Sequence, residues 1–379
     1  MTLDIGIVGA GNRGQRHAAE LAACAGTNVV AIADIDEDAG TTLADEHDAT
    51  WYDDFNAMLE DVTLDSVSVC VHNNLHRPVT VAAAEAGANV FCEKPMAATY
   101  ADARAMADAA ADNDVTIGVQ NEMLFRDETR AARTLIDAGK LGTPIHGEGV
   151  YSRRRGRPFV DGYGTPAFVS SASAGGGPVL DIGTYVIGRM LYLLGNAPVE
   201  RVSGATYTHT DDAYDPALTG EHSDRYRERL ETGGYDVEDA GMGLAHLADG
   251  TTLSVRTAWH MFAPDRPDFV VGSQGGVSFD PFEFKTTVED YEADVSLDLG
   301  GFERRHALIE SETGYDVGDT NDQFQHWVDT IDGSADEPIP TGDIGLNSML
   351  VMEGIYLAHE AGRELTADEI AERSTPRAA

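Results

Sequence analysis

The stretch that decides the fold stands at the start of the chain, where residues 3–14 read LDIGIVGAGNRG. An apolar, strand-like segment, 3–8, runs into a glycine turn and a helix-like segment, 15–24. A second apolar segment, 29–33, ends at Asp34. The pattern G-x-G-x-x-G between strand and helix, with an acid about 20 residues further on, is typical of a dinucleotide-binding βαβ unit. We therefore expect the chain to begin with a domain that binds a dinucleotide cofactor.

Each position of this turn has its own task in such a unit. Gly9 permits the tight turn, Gly11 lets the backbone approach a pyrophosphate, and Gly14 lets the helix pack on the strand. The start of the helix then offers free N–H groups and a partial positive charge to the phosphates. Asn12 and Arg13 complete the candidate cofactor contacts of the loop.

The choice between NAD and NADP stays open at this point. Asp34, at the tip of the second strand, can accept hydrogen bonds from the adenosine ribose hydroxyls. Its charge would repel a 2′-phosphate, which favours NAD. Arg13 inside the loop could still reach such a phosphate, so NADP remains an alternative.

The chain is strongly acidic. It has 65 Asp and Glu against 26 Lys and Arg, a formal net charge of −39, and its only lysines are Lys94, Lys140 and Lys285. Acid spread along the whole chain, with few lysines, indicates adaptation to a salt-rich cytoplasm, where screening suppresses the self-repulsion. We therefore expect a halophile protein, and we exclude nucleic acid as a partner because its phosphates would meet a negative surface.

Length and hydropathy narrow the class of protein further. The 379 residues suffice for two domains, each with its own core. No apolar run approaches the roughly 20 residues that a membrane-spanning helix needs, and no signal sequence precedes the first strand, so we expect a cytoplasmic protein without a membrane partner. The cysteines, Cys24, Cys70 and Cys92, lack metal-ligand spacing, and we expect no metal.

The spacing of apolar residues divides the chain into two predicted domains. Residues 1–120 alternate between strands and helices, which predicts a parallel sheet with helices on both faces. Residues 121–379 carry longer alternating segments, which predict an α/β domain with a large, mostly antiparallel sheet. Strands are predicted at 3–8, 29–33, 66–71, 89–92, 115–119, 145–151, 199–209, 241–247, 251–259, 268–272 and 285–297. Helices are predicted at 15–24, 37–46, 53–60, 77–86, 100–112, 128–138, 181–194, 320–332 and 343–361.

A second motif, Glu93-Lys94-Pro95, follows the apolar strand 89–92. Open α/β sheets bind their ligands at the carboxyl ends of the strands, so a rare lysine at this place suits a functional site. An ordinary turn before a proline-started helix explains the residues about equally well, and the cofactor motif tips the balance toward function.

A third motif, GGGPVLDIGTY, spans residues 175–185. Asp181 and Tyr185 are four apart on a predicted helix and therefore share a face. Taken alone, the motif is better explained as a flexible loop with an acid at the start of a helix.

Together the three motifs resemble the Gfo/Idh/MocA family, named after glucose–fructose oxidoreductase, inositol dehydrogenase and a rhizopine-catabolism protein. Segments 71–76 (VHNNLH), 135–142 (LIDAGKLG) and 153–158 (RRRGRP) are similar to stretches of that family in the same order, so the resemblance covers nearly the whole chain. It implies an N-terminal Rossmann domain and a C-terminal α/β domain whose large open sheet joins subunits into a homodimer or homotetramer.

The resemblance also implies an activity and roles for residues. The activity is hydride transfer between NAD or NADP and a hydroxyl-bearing carbon of a sugar, inositol or related polyol. Lys94 would bind the reacting oxygen and help to place the nicotinamide, Asp181 would hold the substrate or its partner, and position 185 would accept the proton. The residues that would contact the cofactor beyond the glycine turn are Asn73, Asn74, His76, Glu93 and Lys94.

Position 185 departs from many members of the family, which have histidine where this chain has Tyr185. The change alters the acid–base argument, because tyrosine has an unperturbed pKa of about 10. A tyrosine base needs a nearby cation to stabilise its phenolate, and Lys94 is the candidate. Lys94 and Tyr185 are therefore predicted to act as an acid/base pair.

Substrate contacts outside these motifs are harder to predict. Of the run Arg153-Arg154-Arg155 we expect two arginines to pair with surface carboxylates and one, taken as Arg153, to line the substrate pocket. The family's usual arginine pair after the last Rossmann strand is absent, and Arg126 receives no role.

Two other functions compete with a dehydrogenase. One is a closed-cycle NAD enzyme, either a sugar–sugar oxidoreductase or an NAD-dependent glycosidase. The other is a regulator that binds NAD(P) without catalysis, although such a protein has no need to keep Lys94, Asp181 and Tyr185 together.

The acidic composition leads to a first testable prediction. Melting temperature and any enzymatic activity should both fall when multimolar KCl is replaced by roughly 0.1 M KCl, because screening of the like charges is lost. Thermal denaturation in the two buffers measures the effect. Equal melting temperatures would contradict the halophile interpretation.

Overall fold

The computed structural model describes residues 2–160, 164–208, 234–264, 266–300, 323–335 and 337–377. Position 209 of one predicted strand and positions 320–322 of one predicted helix lie outside these ranges.

The N-terminal part of the chain forms a parallel sheet of six strands in the order β3-β2-β1-β4-β5-β6. This is the strand order of the dinucleotide-binding α/β fold. The strands are β1 (Leu3–Val8), β2 (Thr27–Ala33), β3 (Thr50–Tyr52), β4 (Ser66–Val69), β5 (Asn89–Cys92) and β6 (Ile117–Val119). The helices are α1 (Asn12–Ala23), α2 (Glu37–Glu46), α3 (Phe55–Asp61), α4 (His76–Glu85) and α5 (Tyr100–Asp112), with a 3-10 turn at Asn73–Leu75.

The predicted parallel sheet is confirmed. It contains one strand, β3, that the sequence did not predict. β3 has three residues and is half exposed, too short for its alternation to be recognised. Because β1, β4 and β5 are neighbours and parallel, the segments that follow their carboxyl ends meet at one edge of the sheet. Those segments are the glycine turn, the stretch after residue 69 and the Glu93-Lys94-Pro95 motif.

The glycine turn has the geometry that its sequence demands. Gly9 has φ +100°, a left-handed conformation that other residues rarely adopt. A side chain at Gly14 would overlap the carbonyl oxygen of Gly9. Glycine at these two positions therefore lets α1 begin directly behind β1.

The second half of the chain forms a sheet of nine strands in the order β14-β13-β12-β11-β7-β10-β9-β8-β15. Every neighbouring pair is antiparallel except β7 and β10, so the predicted large, mostly antiparallel sheet is confirmed. The strands are β7 (Pro144–Ser152), β8 (Val199–Tyr207), β9 (Ala240–Leu247), β10 (Thr252–Ala258), β11 (Phe269–Gly272), β12 (Gly275–Ser278), β13 (Glu283–Val288), β14 (Tyr291–Ser296) and β15 (Leu365–Thr366). The described helices are α6 (Asp127–Asp137), α7 (Ser171–Ala174), α8 (Pro178–Asp181), α9 (Gly183–Leu193), α10 (Gln323–Asp332), α11 (Thr341–Ala361) and α12 (Ala367–Arg373), with 3-10 turns at Glu122–Phe125 and Pro166–Val169.

Two predicted elements are corrected by the structure. The single strand predicted at 285–297 is a hairpin, β13 and β14, because the chain turns at Glu289, which has φ +53°. The single helix predicted at 181–194 is interrupted at Ile182, where α8 ends and α9 begins.

Two helices cover one face of the second sheet. Glycines on this face of the strands let the helices approach closely, since a side chain at Gly149 would touch Val186 of α9 and one at Gly243 would collide with Ile355 of α11. α9 therefore lies on the sheet, and its first turn carries Tyr185. Assembly of subunits through the large sheet stays a prediction.

Helix α10 belongs in sequence to the second half but packs on the first sheet. Trp327 lies against Gly118 and stacks on Phe91 of β5 with ring centroids 5.3 Å apart. Its indole N–H donates to the hydroxyl of Ser66, at 3.1 Å. The division of the chain at residues 120 and 121 stays a prediction, and α10 crosses it in space. No helix among the described residues is long and apolar enough to cross a bilayer.

The packing of α10 gives a second testable prediction. Trp327→Ala should lower the free energy of unfolding by about 3–5 kcal/mol. The indole of Trp327 is only 3% exposed, so its removal leaves a cavity beside Phe91. Chemical denaturation in concentrated salt measures the change. The control is Tyr291→Ala, whose ring is 78% exposed, with an expected change within about 0.5 kcal/mol. A similarly small effect of Trp327→Ala would show that α10 does not complete the core under the first sheet.

Candidate active site

A cleft of about 310 Å³ lies where the carboxyl ends of β1, β4 and β5 face α8 and α9. Predicted catalytic and substrate residues from both halves of the chain line it together, namely Lys94, Arg153, Asp181 and Tyr185. Four cofactor candidates, Arg13, Asn73, His76 and Glu93, also line the cleft.

Lys94 is the centre of this arrangement. Its ammonium group donates to the side chain of Asp181 at 3.0 Å and to the main-chain oxygen of Asp181 at 2.8 Å. Burial lowers the pKa of Lys94, but Asp181, Tyr185 and Glu93 outweigh it and raise that pKa above its ordinary value. Lys94 therefore carries its positive charge across the neutral and mildly alkaline range.

Asp181 is held from two sides. Besides Lys94, the indole N–H of Trp259 donates to its other carboxylate oxygen at 3.0 Å. Burial raises the pKa of Asp181, but Lys94, Trp259 and Arg153 together lower it below its ordinary value. Asp181 is therefore an ionised anchor that fixes the ammonium group of Lys94.

Tyr185 is half-buried and lies beside Lys94. The ammonium nitrogen is 4.6 Å from the centroid of the Tyr185 ring, a cation–π contact. On its other side the ring faces Tyr151 of β7, with centroids 6.4 Å apart. A cation, a carboxylate and a phenol thus meet at one point of the cleft.

Glu93 is supported by a histidine that sequence reasoning missed. His17, on the inner face of α1, is fully buried and contacts Glu93 Oε1 at 3.1 Å and Ser68 Oγ at 2.6 Å. Burial opposes a charge on His17, but Cys70 and Glu93 favour it and raise the pKa of His17 to about 10. Burial likewise opposes ionisation of Glu93, but His17, Arg13 and Lys94 lower the pKa of Glu93 to about 2. The two form a buried ion pair directly behind Lys94.

Arg13 turns toward this pair. Its guanidinium is 3.6 Å from Glu93 Oε1, and burial, which lowers the pKa of Arg13, is outweighed by Glu93 and Tyr185. The Arg13 side chain is therefore directed to Glu93 and Tyr185.

The glycine turn and the end of β2 fit a dinucleotide. A side chain at Gly11 would meet no protein atom within 4 Å, so this exposed position has open space in front of it where a pyrophosphate can approach. The Asp34 carboxylate closes the far side of the loop, accepting the N–H of Ala10 at 2.5 Å and that of Asp36 at 2.8 Å. Ile35 beside it is 93% exposed, which leaves an apolar surface at the adenosine end.

The other predicted cofactor contacts fall into two groups. Asn73 and Asn74 are half-buried, and the Asn73 amide donates to the carbonyl of Ala174 at 2.8 Å, which ties the turn after β4 to the end of α7. His76 is fully buried, and its ring nitrogens face carbonyls of Val71, Pro95 and Met96 at 3.0–3.2 Å. His76 therefore supports the turn around Lys94, and its contact with a cofactor stays a prediction.

Two arginines reach the cleft on the substrate side. Arg153 contacts the hydroxyl of Tyr151 at 3.3 Å and lines the cleft, and its contact with a substrate stays a prediction. Arg126, which received no role from the sequence, also lines the cleft and pairs with Glu122 at 3.3 Å.

Three side chains that shape the site were missed by sequence reasoning. They are His17, Trp259 and Tyr151. His17 alone had a visible signal, because a histidine on the apolar face of a cofactor-binding helix must be paired when it is buried. Within the described residues, no group of three or more His, Cys, Asp or Glu side chains has a metal-binding arrangement.

Comparison with family models identifies both parts of the chain. The model described as an oxidoreductase family with an NAD-binding Rossmann fold matches residues 3–121. The model of the GFO/IDH/MocA C-terminal domain matches residues 129–278. These matches confirm the resemblance drawn from the motifs, including the NAD(P)-binding Rossmann domain.

Similar proteins include a D-glucoside 3-dehydrogenase of Escherichia coli, 30% identical over 68% of this chain and 70% of the relative. A D-xylose 1-dehydrogenase (NADP(+)) of Haloferax volcanii is 27% identical over 76% of this chain and 87% of the relative. A levoglucosan dehydrogenase solved with NADH and levoglucosan superposes with a TM-score of 0.71 at 20% identity, covering 97% of this chain and all of that one. At this sequence identity, the similarity to the levoglucosan dehydrogenase structure shows that the two chains share a fold.

The ion pair behind Lys94 yields a third testable prediction. Since the pKa of His17 is raised in the folded protein, its stabilising contribution is complete below the ordinary value of 6.5 and is lost as the pH rises through about 10. His17→Gln should therefore cost about 3 kcal/mol near pH 5.5, with a smaller loss near pH 9.5. Denaturant unfolding at several pH values measures this, with the exposed His359→Gln as the control. A loss that does not change with pH would contradict the charged pair.

Proposed function

Because the chain belongs to the Gfo/Idh/MocA oxidoreductase family, we propose that it is an NAD(P)-dependent dehydrogenase that oxidises a hydroxyl-bearing carbon of a sugar or polyol. The observation that carries the proposal is the contact of Lys94 with Asp181, beside Tyr185. The three side chains come from different motifs and different halves of the chain, and they meet at the carboxyl ends of the first sheet, where such folds bind their ligands.

The proton would leave through the lysine–tyrosine pair. Two donors of the Lys94 ammonium group are engaged by Asp181, which leaves the third for the oxygen of the reacting hydroxyl. Tyr185, beside this cation, is the proposed acceptor of the hydroxyl proton, because its phenol lies next to Lys94 in the cleft. Lys94 also stabilises the oxygen as negative charge develops on it.

The remaining residues hold the reactants. Gly9, Gly11, Asn12 and Gly14 are the proposed cradle for the pyrophosphate, and Asp34 is the proposed acceptor for the ribose hydroxyls. When bound there, NAD(P) would supply the redox chemistry, as the hydride acceptor for the oxidised carbon. Arg153 and Asp181 would orient the sugar by its other hydroxyls.

The geometry favours NAD over NADP. Asp34 presents a carboxylate at the adenosine end, and Arg13, the cation that could have neutralised a 2′-phosphate, is directed to Glu93. The proposed preference for NAD over NADP therefore depends on the negative charge of Asp34.

A fourth prediction tests the proposed proton acceptor. Tyr185→Phe should lower kcat by about 100-fold or more, because the phenol oxygen is lost while ring packing is kept. Reduction of NAD followed at 340 nm, with a panel of aldoses, inositols and polyols, measures the effect.

The matched control is Tyr207→Phe, at the end of β8, where the ring is 42% exposed. Its kcat should equal that of the wild type. A Tyr185→Phe enzyme that keeps its full rate would overturn the role given to Tyr185.

A fifth prediction concerns the cofactor. Asp34→Ala should shift the ratio of kcat/KM for NAD to that for NADP toward NADP by about tenfold or more, since one repulsive charge next to the 2′-phosphate is removed. Initial rates with each cofactor give the ratio. An unchanged ratio would show that Asp34 does not set the preference.

A further inference from the structure

A second, larger cleft adjoins the catalytic cleft. We call it the outer cleft; its volume is about 640 Å³, and Met123, Arg126 and Tyr151 form the wall that the two share. A molecule whose reacting carbon lies at Lys94 can therefore extend past Tyr151 into a space large enough for a further ring.

The outer cleft offers both kinds of hydrogen-bonding group. Arg126, Arg189 and Arg266 present guanidinium groups, while Glu128 and Asp280 present carboxylates. A guanidinium only donates and a carboxylate only accepts, whereas a hydroxyl does both. A wall with both kinds of group therefore suits a ligand that is rich in hydroxyls.

The charges of the outer cleft are balanced. Its three arginines are matched by three carboxylates, those of Glu128, Asp268 and Asp280. This differs from the whole chain, in which acids outnumber bases by 65 to 26. A balanced lining favours a neutral ligand over a cation or an anion.

One arginine of the outer cleft, Arg189, is held in place by the fold. Arg189 of α9 is 6% exposed, pairs with Asp268 and lies with its guanidinium carbon 4.3 Å from the centroid of the Phe279 ring. Asp268 is fixed in turn, because it accepts the main-chain N–H of Val150 at 2.7 Å. The buried Nε of Arg189 has no hydrogen-bond partner within the part of the chain that the structure describes.

Aromatic rings complete the lining. Phe282 is half-buried and meets Phe279 edge to face, with centroids 5.9 Å apart, and Tyr151 stands at the entrance from the catalytic cleft. An apolar ring surface with a few polar groups around it is the usual lining of a small-molecule site. The C–H face of a pyranose ring can pack on such a surface while its hydroxyls reach the charged groups.

We propose that the outer cleft binds a neutral second saccharide ring, so that the substrate is a two-ring glycoside rather than a free monosaccharide. The inference rests on the proposed function, since the reacting ring would occupy the catalytic cleft. Arg266 and Phe282 would be the groups that distinguish the longer substrate from the shorter one.

The test compares matched substrates. Maltose, cellobiose and lactose are assayed against methyl α-glucoside, methyl β-glucoside and methyl β-galactoside, with NAD and with NADP in concentrated KCl. At least one disaccharide should have kcat/KM about tenfold above that of its methyl glycoside. Arg266→Ala and Phe282→Ala should each remove about tenfold from the disaccharide value and leave that of the methyl glycoside unchanged. Arg104→Ala, which removes an exposed arginine on α5, is the charge-matched control and should leave both values unchanged.

The alternative outcomes are distinct. Equal values for disaccharides and methyl glycosides in the wild type, or variants that lower both equally, would overturn the inference. A preference for cellobiuronic acid over the neutral disaccharides would also overturn it, because the outer cleft would then bind an anion. If no sugar is oxidised with either cofactor, the proposed function fails. Calorimetric binding of the three disaccharides to the wild type and to Arg266→Ala then decides the inference, which stands only if binding is present and weakened by the variant.

Discussion

The ion pair between Lys94 and Asp181 is the interaction on which the rest of the site depends. Lys94 follows β5 of the parallel sheet, and Asp181 ends α8 beside the nine-stranded sheet, so the pair fixes a residue of one half of the chain against a residue of the other. Burial alone would disfavour both charges, and each is kept by the other. The cleft, the position of Tyr185 and the proposed proton path all follow from this contact.

The charge distribution around this pair suits the binding of a dinucleotide and of the proposed sugar substrate by so acidic a chain. The two clefts are lined by five arginines and the rare Lys94 against six carboxylates, whereas acids outnumber bases by 65 to 26 in the whole chain. Glu93 is kept ionised by His17 and Arg13, so even the acids of the site are neutralised locally. High salt would then screen the surface while leaving the buried pairs largely unaffected, because screening acts mainly on exposed charges.

The sequence predicted the parts of the fold that have strong local signals. The glycine turn, the parallel sheet and the large antiparallel sheet follow from spacing and alternation, whereas β3 and the break at Ile182 depend on tertiary packing. Lys94, Asp181 and Tyr185 could be proposed from the sequence because they lie in motifs, and the structure places them side by side. His17, Trp259 and Tyr151 were missed because their importance comes from contacts between segments far apart in the chain. The same reason kept Arg126 without a role until the two clefts were seen to share it.

A crystal structure of the protein with NAD and a sugar that it binds but does not oxidise would test the proposed role of Lys94 most directly. We predict that Lys94 keeps both contacts with Asp181 and places its third N–H on the hydroxyl oxygen of the carbon facing the nicotinamide, with Tyr185 within hydrogen-bonding distance of the same oxygen. A structure in which the sugar lies away from Lys94, or in which Lys94 leaves Asp181 when the ligands bind, would contradict it.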